Sequence, residues 1–196
     1  MKSIAAAILF SATSAFAQPY VGVRFGVSSL DPNISGARFG HTYHLSDNRT
    51  ITNLYVGYTR GDWSVEIGGG SLARRHSHNI SATYDIVQDI SADHLYGAVL
   101  RHWRRGDLSA HAMLGAARVM FKNHEYGSNE TGPNVTQLNY GSDRAPIYGF
   151  GLAYRLGPRL TARMDAVRID RVIRSHWTRP HSDITLASAG LHYHFR

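Results

Sequence analysis

"AGLHYHFR", from Ala189 to Arg196, ends the chain. Ala189, Leu191, Tyr193 and Phe195 fall on one side; Gly190, His192 and His194 fall on the other. A period of two marks a β-strand with unlike faces. Chain ends usually fray, so an aromatic, amphipathic strand at this position calls for a partner that holds it. The same alternation runs upstream. It places Val21, Val23, Phe25 and Val27 against Gly22, Arg24 and Gly26, and Leu54, Val56 and Tyr58 against Asn53, Tyr55 and Gly57. Trp63, Val65 and Ile67 oppose Ser64, Glu66 and Gly68; Leu108, Ala110, Ala112 and Leu114 oppose Ser109, His111, Met113 and Gly115. Tyr148, Phe150, Leu152 and Tyr154 oppose Gly149, Gly151 and Arg155; Leu160, Ala162, Met164 and Ala166 oppose Thr161, Arg163 and Asp165. The stretch 94–101 is strand-like, but both its faces are largely apolar, so its orientation stays open. With the C-terminal stretch from Ile184 onward the count is about eight strands.

The connections alternate in length. Residues 59–62, 104–107 and 156–159 are tight and contain Gly or Gly-Pro, which suits short hairpin turns. Residues 28–50, 72–90, 122–143 and 168–183 are long and polar. In an up-and-down meander, alternate connections lie at opposite ends. One end then carries only short turns and the other only long loops, as in outer-membrane barrels with short periplasmic turns and long extracellular loops. The expected fold is all-β: an eight-stranded antiparallel up-and-down transmembrane β-barrel with four long extracellular loops.

Two features separate this reading from a soluble sandwich or a lipocalin-like barrel. The polar faces are rich in Gly and poor in solubilising side chains, as a narrow barrel interior requires. The mid-strand charges Arg24, Glu66, Arg163 and Asp165 are two positive and two negative, and charges in a closed lumen must be paired. Tyr58, Trp63, Trp103, Tyr154, Tyr193 and Phe195 flank the short turns or the terminus, as a periplasmic-side aromatic girdle would. The last strand is expected to close the ring by pairing with the first, because hydrocarbon leaves no open sheet edge satisfied.

Export is written at the N-terminus. Met1-Lys2 precedes an apolar run from Ile4 to Phe16, and Ala15-Phe16-Ala17 is a small-x-small cleavage site. Residues 1–17 are therefore expected to be a signal peptide and residues 18–196 the barrel. The run is shorter than the roughly 20 residues of a spanning helix. There is no cysteine, which removes disulfides and thiolate metal sites. Of 21 basic residues only Lys2 and Lys122 are lysines, and the net charge is +7. Arginine suits bidentate pairing with phosphate or carboxylate.

Among these strands, "PYVGVRFGVSS", "APIYGFGLAYRL", "LTARMDAVRID" and "AGLHYHF" together resemble the eight-stranded transmembrane domain of outer-membrane protein A and its relatives. The likeness covers the whole mature chain, with no peptidoglycan-binding domain following. It implies placement in the outer membrane of a Gram-negative bacterium. It implies a lumenal salt-bridge cluster on Arg24, Glu66, Arg163 and Asp165. It also implies a C-terminal signal for the barrel-assembly machinery at Leu191, Tyr193 and Phe195, although Arg196 follows the terminal aromatic. Adhesion to host surface molecules is a further implied role.

A barrel of this size is filled by side chains, so function is expected on the loops or the lipid face. The last long loop, "RIDRVIRSHWTRPHSD", presents Arg168, Arg171, Arg174 and Arg179 to phosphates of lipopolysaccharide, with Trp177 as an interfacial anchor. The pairs His41/His44 and His76/His78 have chelating spacing, yet no carboxylate–His pattern closes a metal site, so no metal or cofactor is expected. "RGD" occurs at Arg60–Asp62 and Arg105–Asp107, where turn chemistry accounts for it. The expectation is a monomeric, non-enzymatic membrane protein that binds outer-membrane lipid and lipopolysaccharide but no nucleic acid. The alternatives are a lipid A-modifying acyl hydrolase or transferase built on Ser109, His111 and Glu66, and a narrow ion channel.

Overall fold

In the computed structural model the described residues are 17–30, 33–36, 41–44, 49–80, 84–129, 132–170 and 183–195. The first strand, β1 (Ala17–Leu30), pairs antiparallel with β4 (Arg49–Arg60) on one side and β10 (Ile184–His194) on the other. Between them run β5 (Trp63–Ile80), β6 (Tyr84–Arg105), β7 (Leu108–Asn129), β8 (Gly132–Arg155) and β9 (Leu160–Ile169). Each is antiparallel to its neighbours, and the eight strands close into a barrel. A separate hairpin of β2 (Asn33–Gly36) and β3 (His41–His44) sits in the first long connection. The barrel seam sets Val21 against Tyr193, Val23 against Leu191 and Phe25 against Ala189. Beyond the last ladder pair, the Phe195 N–H still donates to the Pro19 carbonyl at 2.9 Å.

Burial is inverted relative to a water-soluble domain. Phe150, Leu114, Met164 and Leu54 point outward and are each more than 60 % exposed, whereas Glu66 and Leu100 inside are 0 % exposed. A continuous apolar exterior of this kind is stable against acyl chains and not against water. The ambiguous stretch resolves: Leu95, Val99 and Trp103 face out, and His94, Tyr96, Ala98 and Leu100 face in. All six aromatics of the short-turn end are exposed on the outside. Arg101 also faces out, but its guanidinium lies over the Trp63 ring at 5.0 Å and reaches Asp62 at 3.3 Å. It thereby bends to the aqueous edge, as long cationic side chains do.

The apolar band has a definite height. On β7 it covers residues 108–117, and Arg118 follows. About ten residues, at a rise of ~3.3 Å and a tilt of ~40°, span about 25 Å. The three tight turns lie at one end; Gly61 (φ 58°) and Gly106 (φ 62°) adopt the left-handed conformation there, which accounts for the glycine of both "RGD" segments. At the other end two of the expected loops are largely strand. Segments 72–80 and 84–90 continue β5 and β6, and 122–129 and 132–143 continue β7 and β8, as paired ribbons beyond the band. Outside the bilayer neither face needs to be apolar, so the ladder persists while the hydrophobic period that reveals a strand is lost. A bulge between Ser71 and Ala73 breaks the parity as well.

Inside, glycines make room for tyrosines. Tyr20 lies opposite Gly57, Tyr55 opposite Gly22, and Tyr96 opposite Gly68. A Cβ at Gly57 would stand 2.2 Å from the Tyr20 ring, and one at Gly22 would stand 2.3 Å from the Tyr55 ring. Each ring covers a bare stretch of backbone and carries its hydroxyl to the middle of the lumen. Gly57→Val is expected to destabilise the barrel by about 1–3 kcal/mol through overpacking. Urea unfolding, followed by the different gel mobility of folded and boiled protein, measures this; unchanged stability would contradict the packing.

Candidate functional site

The lumen is crossed by a network of ions. Arg24 of β1 contacts Asp165 Oδ2 through Nη1 at 3.0 Å and Glu66 Oε1 through Nη2 at 3.3 Å. Arg163 of β9 contacts Glu66 Oε2 through Nη1 at 2.5 Å and Asp165 through Nε at 2.9 Å. Two guanidiniums thus bridge two carboxylates in a ring of zero net charge, with every side chain at most 4 % exposed. Tyr20 donates to Glu66 Oε2 at 3.2 Å, and the Tyr96 hydroxyl joins both Glu66 and Arg24. The Arg24 guanidinium rests 4.5 Å from the Tyr55 ring centroid. His111 Nε2 meets Asp165 Oδ1 at 2.7 Å. Paired this way, buried charge is tolerated, because each partner replaces the water the other has lost.

Register and glycine position bring these groups together. Gly190 of β10 pairs with Arg24 on one side and with Arg163 on the other, so both arginines stand at one level of the lumen. Gly151 of β8 pairs with His111 and with Asp165, and a Cβ there would lie 2.5 Å from the imidazole and 2.6 Å from Asp165 Oδ1. A contact across an intervening strand needs that strand to be bare. The phenols and His111 were not assigned to the cluster from sequence. For Tyr20, Tyr55 and His111 the available signal is an inward parity shared with a glycine of the same strand (Gly22, Gly57 and Gly115); Tyr96 lies in the stretch whose faces the sequence leaves open and carries no such signal. Ser109, His111 and Glu66 do not form a relay: Ser109 donates to the Ala153 carbonyl at 3.4 Å, His111 binds Asp165, and the Glu66 oxygens are occupied by Arg24, Arg163 and the two phenols.

On the exterior, the apolar band ends in a rim of uneven charge. Around β4, β5, β10 and β1 it carries Thr50, Ser71, Thr185 and Ser29; on β7, β8 and β9 it carries Arg118, Arg144 and Arg168, these three all exposed. Arg118 and Arg144 are direct cross-strand partners. Arg118 Nη2 donates to Ser142 Oγ at 3.1 Å, and Arg168 pairs with Asp183. The remaining arginines of the basic segment, Arg171, Arg174 and Arg179, together with Trp177, lie outside the described residues, as do residues 1–16. The side chains of His41, His44, His76 and His78 do so too. At the short-turn end Leu191, Tyr193 and Phe195 face outward, with the Tyr193 and Phe195 rings edge to face at 5.3 Å.

Removing one member of the lumenal ring leaves the others buried and unbalanced. Glu66→Gln is expected to destabilise the folded barrel by about 3–5 kcal/mol. The same urea titration checks this, and a loss under about 1 kcal/mol would mean that the ring is hydrated and weakly coupled.

The family model described as the OmpA-like transmembrane domain matches residues 14–196. No match to a curated protein is found. Among solved structures, Ail of Yersinia pestis, crystallised with the heparin analogue sucrose octasulfate, is similar at TM-score 0.58 and 19 % identity, over 92 % of this chain and 99 % of that one. A major outer membrane protein from Thermus thermophilus gives 0.60 at 13 % identity, over 91 % and 99 % of the two chains. OprG from Pseudomonas aeruginosa gives 0.56 at 14 %, over 92 % and 98 %. At such identities the likeness is one of fold, and it covers nearly the whole of each chain. By its family match and its closed eight-stranded architecture, this chain belongs to the OmpA-like transmembrane domain family of outer-membrane β-barrels.

Proposed function

We propose that this chain is a non-enzymatic, monomeric outer-membrane barrel of a Gram-negative cell, which stabilises the envelope by gripping lipopolysaccharide phosphates at its outer rim. The observation that carries the reading is the pair Arg118 and Arg144. Like charges directly opposite each other on a sheet repel, and here they sit on the outward face at the top of the apolar band. Phosphates at that depth turn the repulsion into paired, charge-assisted hydrogen bonds. Arg168 continues the patch to β9, and Arg171, Arg174 and Arg179 extend the same chemistry into the connection that follows. The sulfated heparin analogue bound by Ail makes a surface polyanion on a host cell the second ligand that such a loop would suit.

The remaining assignments accord with this role. Residues 1–17 serve as the signal peptide and 18–196 as the barrel. Leu191, Tyr193 and Phe195 present the closing strand to the assembly machinery. The ion ring of Arg24, Glu66, Arg163 and Asp165 crosses the lumen at one level and favours a rigid anchor over a pore. Dispersal of Ser109, His111 and Glu66 among other partners speaks against acyl chemistry.

In bilayers, lipopolysaccharide is expected to stabilise the wild-type barrel by about 1–2 kcal/mol relative to phospholipid alone. The double variant R118Q/R144Q loses most of that gain, and dephosphorylated lipid A supplies little of it. Thermal unfolding in matched bilayers reads the difference. Equal gains in wild type and variant would refute the rim site.

A further inference from the structure

The short-turn end of the lumen is hollow. A cavity of about 660 Å³ opens between the three tight turns and ends on the ion ring, where Arg163 and His111 line it. Its size is that of a small-molecule site. Its walls are unlike the rest of the interior. They carry three guanidiniums (Arg104, Arg155 and Arg163) against a single carboxylate, Asp107, and four imidazoles (His102, His111, His192 and His194) that donate or accept according to tautomer. Hydroxyls complete the lining, among them Ser64, whose Oγ lies 2.8 Å from His102 Nε2.

Several of these groups are unsatisfied. Arg163 spends Nη1 and Nε on Glu66 and Asp165, but its Nη2 has no hydrogen-bond partner. His111 gives Nε2 to Asp165, and its Nδ1 has none. Both side chains are at most 2 % exposed. His194 Nδ1 is buried without a partner as well. At the mouth, Arg155 is exposed and makes no ion pair among the described residues. A charged N–H group buried without an acceptor is costly. A polar cavity that ends on one, under a further free guanidinium, is built for acceptor oxygens. The described residues hold no group of three or more His, Cys, Asp or Glu side chains placed for a metal.

We infer that this cavity is an anion site for a phosphoryl group, held between Arg163 at its floor and Arg155 at its mouth and flanked by His194 and His192. The phosphoryl group belongs either to a small soluble phosphate or to the headgroup of an inner-leaflet phospholipid entering from the turn side. Both offer the same oxygens to the same donors.

The test uses the full barrel, labelled with ¹⁵N at histidine and refolded in phosphate-free maltoside micelles. Inorganic phosphate is titrated in at constant ionic strength while the imidazole nitrogens are observed. The site predicts saturable shifts of the lumenal histidines. It also predicts about tenfold weaker binding in Arg155→Gln, as expected for one lost charge-assisted bond. Arg60→Gln, which removes an outward charge at the same end, leaves binding unchanged. A parallel sample in bicelles containing phosphatidylglycerol distinguishes the sources. Shifts there without added phosphate assign a lipid headgroup, and shifts with phosphate alone assign a soluble ligand. No saturable shift in either sample up to about 10 mM, or equal weakening by both substitutions, overturns the site. Heat-modifiable migration confirms that each variant is folded.

Discussion

Hydrocarbon offers backbone amides no water, and this single constraint organises the molecule. An N–H or C=O left unpaired in the bilayer core costs several kcal/mol, so a sheet can cross only as a closed ring. The pairing of β1 with β10 is therefore the bond on which the rest depends. It explains why the last residues are ordered and aromatic, and why the ladder runs on to Phe195. Closure in turn fixes two opposite environments on each strand. The outer face meets acyl chains and is apolar. The inner face is narrow, and at its central level it is crossed by charged groups that pair with one another.

The filling is a division of labour between glycine and large polar side chains. Gly22, Gly57 and Gly68 yield their space to Tyr55, Tyr20 and Tyr96, whose hydroxyls point to the ion ring or its neighbours. Gly151 lets His111 meet Asp165 across a strand, and Gly190 lets Arg24 do the same with Asp165. The ring is neutral and central. It leaves the turn end to the cavity lined by histidine and arginine, and on β7, β8 and β9 the outer rim to Arg118, Arg144 and Arg168. The molecule therefore sorts its excess positive charge to the two polar boundaries and keeps the interior balanced between them.

Much of this was legible in the sequence. Strict alternation revealed the strands and their faces wherever one side was apolar, and the alternation of tight and long connections revealed the two ends of the barrel. Around Leu95 to Leu100 the signal failed, because a lumen wall of Tyr96, Ala98 and Leu100 is as apolar as the lipid face. It failed again beyond Leu72 and around Asn123, where ribbons outside the bilayer keep their hydrogen bonds without an apolar face. Side-chain partnerships were the least legible. The balance of Arg24, Glu66, Arg163 and Asp165 was countable, but the part played by His111 depends on Gly151, three-dimensionally between it and Asp165. Arg118 and Arg144 are far apart in sequence, and only register reveals that they face each other.

The inversion of faces shows itself in the environment of single side chains in a bilayer. Single spin labels placed at Leu54, Leu114 and Leu152 of the refolded barrel report collision with oxygen, which concentrates in hydrocarbon, and with a water-soluble nickel chelate. Strong collision with oxygen and almost none with nickel is expected at all three positions. Ready access of the nickel chelate to these three sites would mean that the apolar face does not meet lipid, and the membrane-spanning account would be wrong.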